Sequence, residues 1–524
     1  MTENTGTTAD ALTAGNTLPP LYLPAMIGMV AVKLVLHAIT ISRYGYFRDE
    51  LYFLDCGRHL DWGYVDCAPL VAVYAKIGLL FGGSLPAIRI LPLVAGGMMV
   101  WLTMLLAREM GGGRFAQALG GLCVIVAPIF LASASFLSMN VVEPLLWMGC
   151  IWVILRIIRT GDSRLWIWFG VLAGLGLENK HSTVFFGLAV AVALLLTPLR
   201  GEFARRWIWL GAGVALLLFL PNLLWQMAND FPTLEDLTNV KEAGKNVALA
   251  PFEFMAQQIL LIHPATLPIW LAGLFSLLVG RLSRFRSVGL TYVVLLVVMV
   301  VLGAKNYYLA PIYPMLLAAG SVQVDVWVEL WRKPRGRLWL RAAVVACIAT
   351  LGAVIVPLAL PLLSPEGLLA YQEKLGFSPP KTEVAHSGPL PQLFGDRFGW
   401  EELVDEVAEI YWSLPEEERS RTGIYASNYG EAGAINLFGP AHGLPPAVSG
   451  HQTHWLWGPG GFDGDTLIWL QGRREWLEDR CGSVEQAGEH FHPWGMAEEN
   501  RPIYICRELS MPLDEMWPDL KHWN

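Results

Sequence analysis

Arg48, Asp49 and Glu50 stand consecutively in the stretch Tyr44-Gly-Tyr-Phe-Arg-Asp-Glu-Leu-Tyr52, and Arg58, His59, Asp61 and Asp66 follow before Pro69. Carboxylates beside cations suit proton abstraction from a hydroxyl that attacks a centre whose departing group is anionic. Solvated loop charges next to an aromatic belt would explain each residue singly. Glu143 follows the uncharged run 133–140, which ends at Asn140, and precedes Pro144 at the mouth of an apolar segment. An acid there is costly unless it meets water, a cation or a substrate, although a helix N-terminus favours it by about 0.3–1 kcal/mol. Lys180 with His181, and Lys305 with Asn306, Tyr307 and Tyr308, are isolated cations in loops otherwise nearly bare of positive charge. They suit an anionic ligand such as a lipid phosphate. Snorkelling to phospholipid headgroups accounts equally well for either lysine alone. Lys33 and His37, one helical turn apart in the first apolar run, read as a buried polar contact with no assigned role.

The elements that must carry these residues follow from composition. Of 524 residues, 54% are hydrophobic and 16% charged, 22 are Trp, and the mean hydropathy is +0.44. A soluble domain runs about 45–50% apolar and about 25% charged, so a soluble enzyme, a disordered chain and a nucleic-acid binder are all excluded; the net charge of −8 offers no basic stripe. The chain reads as an α-helical polytopic membrane protein. About eleven runs approach spanning length: 21–41, 86–107, 115–132, 143–155, 165–177, 182–197, 207–226, 254–279, 288–303, 307–328 and 338–363. Alternate connections hold Arg108 and Arg114; Arg156, Arg159 and Arg164; Arg200, Arg205 and Arg206; Arg281, Arg284 and Arg286; and Arg332, Lys333, Arg335, Arg337 and Arg341. The intervening ones hold few cations: Lys180, then Lys241 and Lys245, then Lys305. By the positive-inside bias the Arg-rich set is cytoplasmic, which puts the polar tail 1–20 inside and everything after 363 outside. Arg43 and Arg48 after the first span run against this trend, as does a tail without Lys or Arg. The expected home is the inner (plasma) membrane. The first apolar run is too long, and lacks the basic flank, for a cleaved signal peptide.

After 363 Pro, Gly, Glu and Asp become common and no spanning run recurs, so 364–524 reads as an extracytoplasmic α/β domain. Its start, 364–395, reads as linker; 400–412 and 432–438 as helices; 422–427, 466–470 and 502–507 as strands. Cys481 and Cys506 lie in this domain, where an oxidising exterior favours a disulfide as readily as free thiols; Cys56 and Cys67 could pair likewise. The turn Asn428-Tyr429-Gly430 sits where α/β sheets bind ligands, though a packed turn explains it too. His451 with His454, and His490 with His492, lack a clear carboxylate or Cys partner for a metal. Trp455, Trp457 and Trp469 suit sugar stacking or a core.

The loop 42–85 is longer than a return across the membrane needs, with a helix expected over 49–60 and another from Pro69, Asp66 lying near its cap. With acids, cations and aromatics gathered in loops on one side, the pattern fits glycosyl transfer from a lipid-linked phosphate donor. One carboxylate would take the acceptor's proton and cations would stabilise the departing phosphate. A transporter or flippase shares the composition, but would place ionisable residues near the midplane of repeated, broken helices. A scaffold that only presents the C-terminal domain would tolerate neutralisation of Asp49, Glu143 and Lys180.

The residues Arg48-Asp-Glu-Leu-Tyr52, Gly57-Arg-His59, Trp62-Gly-Tyr64, Asp66-Cys-Ala-Pro-Leu70, Glu143-Pro144, Lys180-His181, Pro221-Asn-Leu-Leu-Trp225, Lys305-Asn-Tyr-Tyr308 and Tyr313-Pro314 resemble glycosyltransferase family 39. That is the protein O-mannosyltransferase and aminoarabinose-transferase family of GT-C fold. The resemblance implies an inverting hexosyl or pentosyl transferase acting on the external face. Its donor would be a polyprenyl-phosphate sugar and its acceptor a hydroxyl of an envelope protein, lipid or glycan. It implies Asp49 as base with Glu50 beside it, and Glu143 where relatives usually have Asp. Arg48, Arg58, Lys180, His181 and Lys305 become phosphate contacts, and Tyr52, Asp66, Asn140, Tyr307 and Tyr308 sugar or acceptor contacts. No cofactor and no divalent metal are expected. The segments around Ser427, Gly450-His451 and Trp455-Leu-Trp-Gly-Pro459 resemble the soluble domain of bacterial members.

Overall fold

The computed structural model describes residues 18–381, 383–384 and 386–523. Each of the eleven expected spans contains a helix, but not every helix is long enough to cross a membrane alone. Six are: Leu85–Glu109, Met139–Thr160, Arg206–Ala228, Ser283–Val301, Asn306–Glu329 and Pro334–Ala359. Three more become spans only as bent pairs, Arg114–Val126 with Pro128–Ser135 at 68°, Thr183–Leu195 with Pro198–Ala204 at 108°, and Pro251–Ile262 with Pro264–Leu278 at 99°. Leu23–Ala38 and Trp166–Asn179 have 16 and 14 residues, short of the roughly 20 that a span needs. Among the described residues the expected eleven thus reduce to six to nine spans by length. Each bend has a proline at or near the break, where an amide is missing from the ladder.

Lys33 and His37 explain how one such break is tolerated. Lys33 Nζ donates to the Phe130 carbonyl at 2.9 Å and a His37 ring nitrogen lies 3.1 Å from the Leu131 carbonyl, both in the second half of the 68° pair. Side chains of a neighbouring helix thereby satisfy groups near the bend. Elsewhere the helices approach through small residues. A methyl group at Gly273 would strike the Leu316 carbonyl, and one at Gly320 the Ile269 carbonyl, so these two helices pack backbone to backbone.

The C-terminal part holds a five-stranded sheet, β1 (Thr422–Tyr425), β2 (Ala447–Val448), β3 (Thr466–Leu470), β4 (Cys481–Glu489) and β5 (Pro502–Leu509), in the order β2-β1-β3-β5-β4. β1 is parallel to β2 and β3, while β5 runs antiparallel to β3 and β4. The helices Trp400–Ser413 and Tyr429–Phe438 fall where expected. β2 and β4 were not legible: β2 has two residues, and β4 is an edge strand of small and polar, largely exposed residues without apolar alternation. Cys481 and Cys506 form a disulfide between β4 and β5, whereas Cys56 and Cys67 are buried free thiols. The stretch read as linker instead contains the helix Pro365–Leu375, its first turn capped by Ser364, and the short helix Gln392–Gly395.

Two apolar cores are the largest among the described residues. One lies among the long helices, around Met99, Trp147, Phe186, Tyr292 and Leu316. The second is shared: Leu51, Phe53 and Leu54 of the loop 42–85 pack with Val404, Ile424, Ile435, Ile468 and Ile505 of the C-terminal domain. The helix Arg48–Arg58 is therefore clamped between the bundle and the C-terminal domain, and Arg48 and Asp49 lie in the seam between them.

Candidate active site

The first turn of Arg48–Arg58 sets the site. Glu50, three residues past Phe47, reaches back to accept from the Phe47 amide at 2.9 Å, and acids in a first turn are favoured by the helix dipole. Its carboxylate also takes Arg89 Nη2 at 2.6 Å, Arg89 Nε at 3.0 Å and the Leu137 amide at 2.7 Å. Glu50 and Arg89 are almost fully buried. Glu50 is thus committed to holding the loop to the bundle.

Asp49 points elsewhere. It accepts from the Tyr429 hydroxyl at 2.9 Å. Burial raises its carboxyl above the usual aspartate range; Arg48 and the Tyr429 hydroxyl pull it down without cancelling the rise. The Arg48 guanidinium lies 3.7 Å from Asp396, 3.8 Å from Glu499 and 3.9 Å from Glu383, and 5.7 Å from the Tyr429 ring centroid. Lys305 Nζ donates to Glu383 at 3.1 Å. Burial would raise Glu383, but Lys305, Arg48 and Lys245 outweigh it and hold the carboxyl at about 2. Asp396 is pushed up to about 7 by burial, against the pull of Arg48.

A second group lies beside the first. Lys180 Nζ donates to Asn140 Oδ1 at 2.8 Å and to Glu143 at 3.2 Å, and sits 4.4 Å from the Tyr308 ring centroid and 5.6 Å from that of Tyr307. Glu143, buried, also accepts from Ser182. His181 meets Asn222 at 3.1 Å, and Asn222 in turn donates to the Trp62 carbonyl at 2.8 Å. The segment 221–225 thereby ties to the loop 42–85, as does Trp225 through Asp61. Asp66 does not cap the following helix, Leu70–Leu80, which starts behind Pro69. Its carboxylate accepts from Tyr52 at 2.6 Å, and burial with nearby Asp236 pushes it up to about 7.

The structure therefore brings together Arg48, Asp49 and Lys305, with Lys180, Glu143, Asn140, Tyr307 and Tyr308 alongside. It does not bring Arg58 there. Arg58 pairs with Asp55 within its own helix, and Asp55 binds His454 and Asn436 of the C-terminal domain. Trp457 stacks on His59, while Trp469 is buried against Tyr425. Among the described residues no three His, Cys, Asp or Glu side chains are grouped as for a metal.

Five participants escaped sequence reasoning. Glu383, Asp396 and Glu499 lie in the part after 363, where acids are common and one more carries no signal. Tyr429 reads in the sequence only as part of a turn that could bind a ligand or simply pack, and nothing there links it to Asp49. Lys245 carried a signal weaker than that of Lys180 or Lys305: it shares with Lys241 a connection otherwise without Lys or Arg, and that connection also holds several acids.

The chain is similar to known proteins both in sequence and in fold. Residues 66–225 match the family described as dolichyl-phosphate-mannose-protein mannosyltransferase. A lipid A galacturonosyltransferase, RgtD, of Rhizobium johnstonii is 26% identical over 380 residues, covering 70% of this chain and 78% of that protein. The crystal structure of ArnT from Cupriavidus metallidurans superposes with a TM-score of 0.59 at 15% identity, covering 91% of this chain and 97% of that one. Its complex with undecaprenyl phosphate gives 0.58 at 14% identity over the same shares. The architecture is the GT-C fold, and the class it defines with the family match is a multi-pass membrane glycosyltransferase. The resemblance to family 39 read from the sequence stands.

Proposed function

We propose that this chain is an inverting glycosyltransferase that moves a sugar from a polyprenyl-phosphate donor to a hydroxyl on the extracytoplasmic face of the inner membrane. One observation carries the reading: a carboxylate with a raised pKa, Asp49, is held by a tyrosine hydroxyl beside cations drawn from the loops 42–85 and 302–306. A base that must take a proton near neutrality works better with its pKa raised toward the working pH. In the reaction the acceptor O–H gives its proton to Asp49 and its oxygen bonds to the sugar C1. The C1–O bond to phosphate breaks from the opposite side, and the polyprenyl phosphate leaves with the bonding pair. Lys180, Lys305 and Arg48 stabilise the charge that develops on it, so the reading includes no metal. Glu143 and Asn140 aim Lys180; Tyr307 and Tyr308 flank it; Glu50 with Arg89 fixes the loop; Asp66 and Tyr52 lie on the acceptor side.

The relative's name makes a uronic sugar and lipid A the first donor and acceptor to try. Purified protein is incubated with labelled polyprenyl-phosphate sugars and envelope extract, beside Asp49→Asn. Wild type should consume one donor, and the variant should be slower by about 10²–10⁴-fold. Near-normal turnover by Asp49→Asn would remove Asp49 as base.

A further inference from the structure

Glu383 enters no step above, yet it has the most cationic surroundings of the acids in the seam. One oxygen accepts from Lys305 at 3.1 Å, and the other lies 3.9 Å from Arg48 and accepts from Gln392 at 3.1 Å. Backbone pairing delivers it there. Glu383 bridges Asn246 antiparallel, and the Val384 amide donates to the Lys245 carbonyl at 3.0 Å. Lys245 acts on the same carboxylate. Three cations far apart in sequence, from three different connections, thus face one singly charged group that is 17% exposed. Several cations converging on one small anion is the arrangement that binds phosphate.

We propose that Glu383 occupies the place of the donor's phosphate in the ligand-free protein and competes with that phosphate for Arg48, Lys245 and Lys305. This rests on the glycosyl-transfer reading above. The competition is asymmetric in a useful way. The donor is a phosphodiester with one negative charge, whereas the released polyprenyl phosphate is a monoester whose charge at neutral pH is about −1.5 to −2. Without an internal competitor the more highly charged product would hold the cations more tightly than the next donor. A carboxylate tethered beside them opposes product retention, at the cost of weaker donor binding.

The sign of one substitution tests this. Undecaprenyl phosphate is titrated onto detergent-solubilised wild type, Glu383→Gln and Glu383→Asp, with the thermal midpoint of each ligand-free protein recorded. Glu383→Gln should bind undecaprenyl phosphate roughly five- to tenfold more tightly, the scale of one removed like-charge contact screened as in water. In turnover it should show a lower donor KM and stronger inhibition by undecaprenyl phosphate. Glu383→Asp, one methylene further from Lys305 but still charged, should fall between the two, and serves alone if the glutamine variant fails to fold. Unchanged or weaker binding by both variants overturns the proposal, because an acid that merely positions Lys305 would give that sign. Absence of binding to wild type would instead count against the glycosyl-transfer reading itself. Asp49→Asn should still bind undecaprenyl phosphate while losing transfer, which keeps the base and the anion site separable.

Discussion

Asp49 and Glu50 are neighbours in one helical turn, and their surroundings are opposite. Glu50 has both oxygens committed, to two nitrogens of Arg89 and to two backbone amides, with no exposure to water. Asp49 leans on a tyrosine hydroxyl, in a seam whose ion pairs with Arg48 are 3.7 to 3.9 Å long. A carboxylate whose lone pairs are all used can only hold structure. One with unused capacity and a raised pKa can take a proton. The pair teaches that proximity in sequence and identical charge do not decide function here; hydrogen-bond saturation does.

The largest expected effect breaks the saturated side. Arg89→Ala leaves Glu50 charged, buried and without its cation, which costs about 3–5 kcal/mol and should appear as a large fall in the thermal midpoint. Asp49→Asn should do the reverse. Because burial raises the Asp49 pKa in the folded protein, its ionised form stabilises the unfolded state relative to the native one. That penalty is absent at low pH and grows as pH rises through the folded-state pKa. The neutral, near-isosteric asparagine should therefore leave the midpoint at neutral pH unchanged or raise it while transfer is lost. A midpoint drop for Asp49→Asn as large as that for Arg89→Ala would erase the distinction.

The Lys180–Glu143 pair stands between these extremes, since Glu143 is buried while Lys180 is 14% exposed and faces the tyrosines. Lys180→Gln should lower both stability and kcat/KM, the latter by about ten- to a hundredfold, the worth of a charge-assisted contact of about 1.5–3 kcal/mol. Adding Glu143→Gln removes the stranded buried charge and should restore the midpoint without restoring transfer. Recovery of transfer in the double variant would make the pair purely structural.

The membrane elements were largely legible because a spanning helix must be apolar over its whole length, and composition alone reveals that. Span number was less legible: the breaks near Pro128 and Pro264 split continuous apolar runs, the one near Pro198 lies at the end of one, and Lys33 and His37 satisfy the first from another helix. In the C-terminal domain the buried strands β1, β3 and β5 announced themselves by apolar content, while the polar edge strand β4 did not. The site followed the same division. Asp49, Lys180 and Lys305 are conspicuous because charge is scarce around them. Glu383, Asp396 and Glu499 come from a stretch where acids are common, and only folding brings them to Arg48. Arg58 misled for the converse reason: it lies in the same loop but at the far end of its helix, spent on Asp55.

Tyr429→Phe gives the smallest effect and the finest test of the comparison. The tyrosine ring lies 4.9 Å from Tyr52 and 4.8 Å from His451, centroid to centroid, so phenylalanine keeps the packing and loses the hydroxyl. That hydroxyl donates to Asp49 and favours the carboxylate over the acid. Its removal should push the Asp49 pKa higher still. A base must be ionised to act, so the acid limb of kcat/KM against pH should move to higher pH. On that limb activity should fall by roughly two- to tenfold, corresponding to one hydrogen bond of about 0.5–1.5 kcal/mol. Above the limb the variant should approach wild type, because there the proton is already off in both. A uniform loss at every pH would mean that Tyr429 positions substrate and does not tune the base. A limb moved to lower pH would mean that the hydroxyl does not donate to Asp49 in the working enzyme. Glu50 has no counterpart to this experiment, since removing any one of its partners leaves a buried charge short of a bond and is felt first in folding.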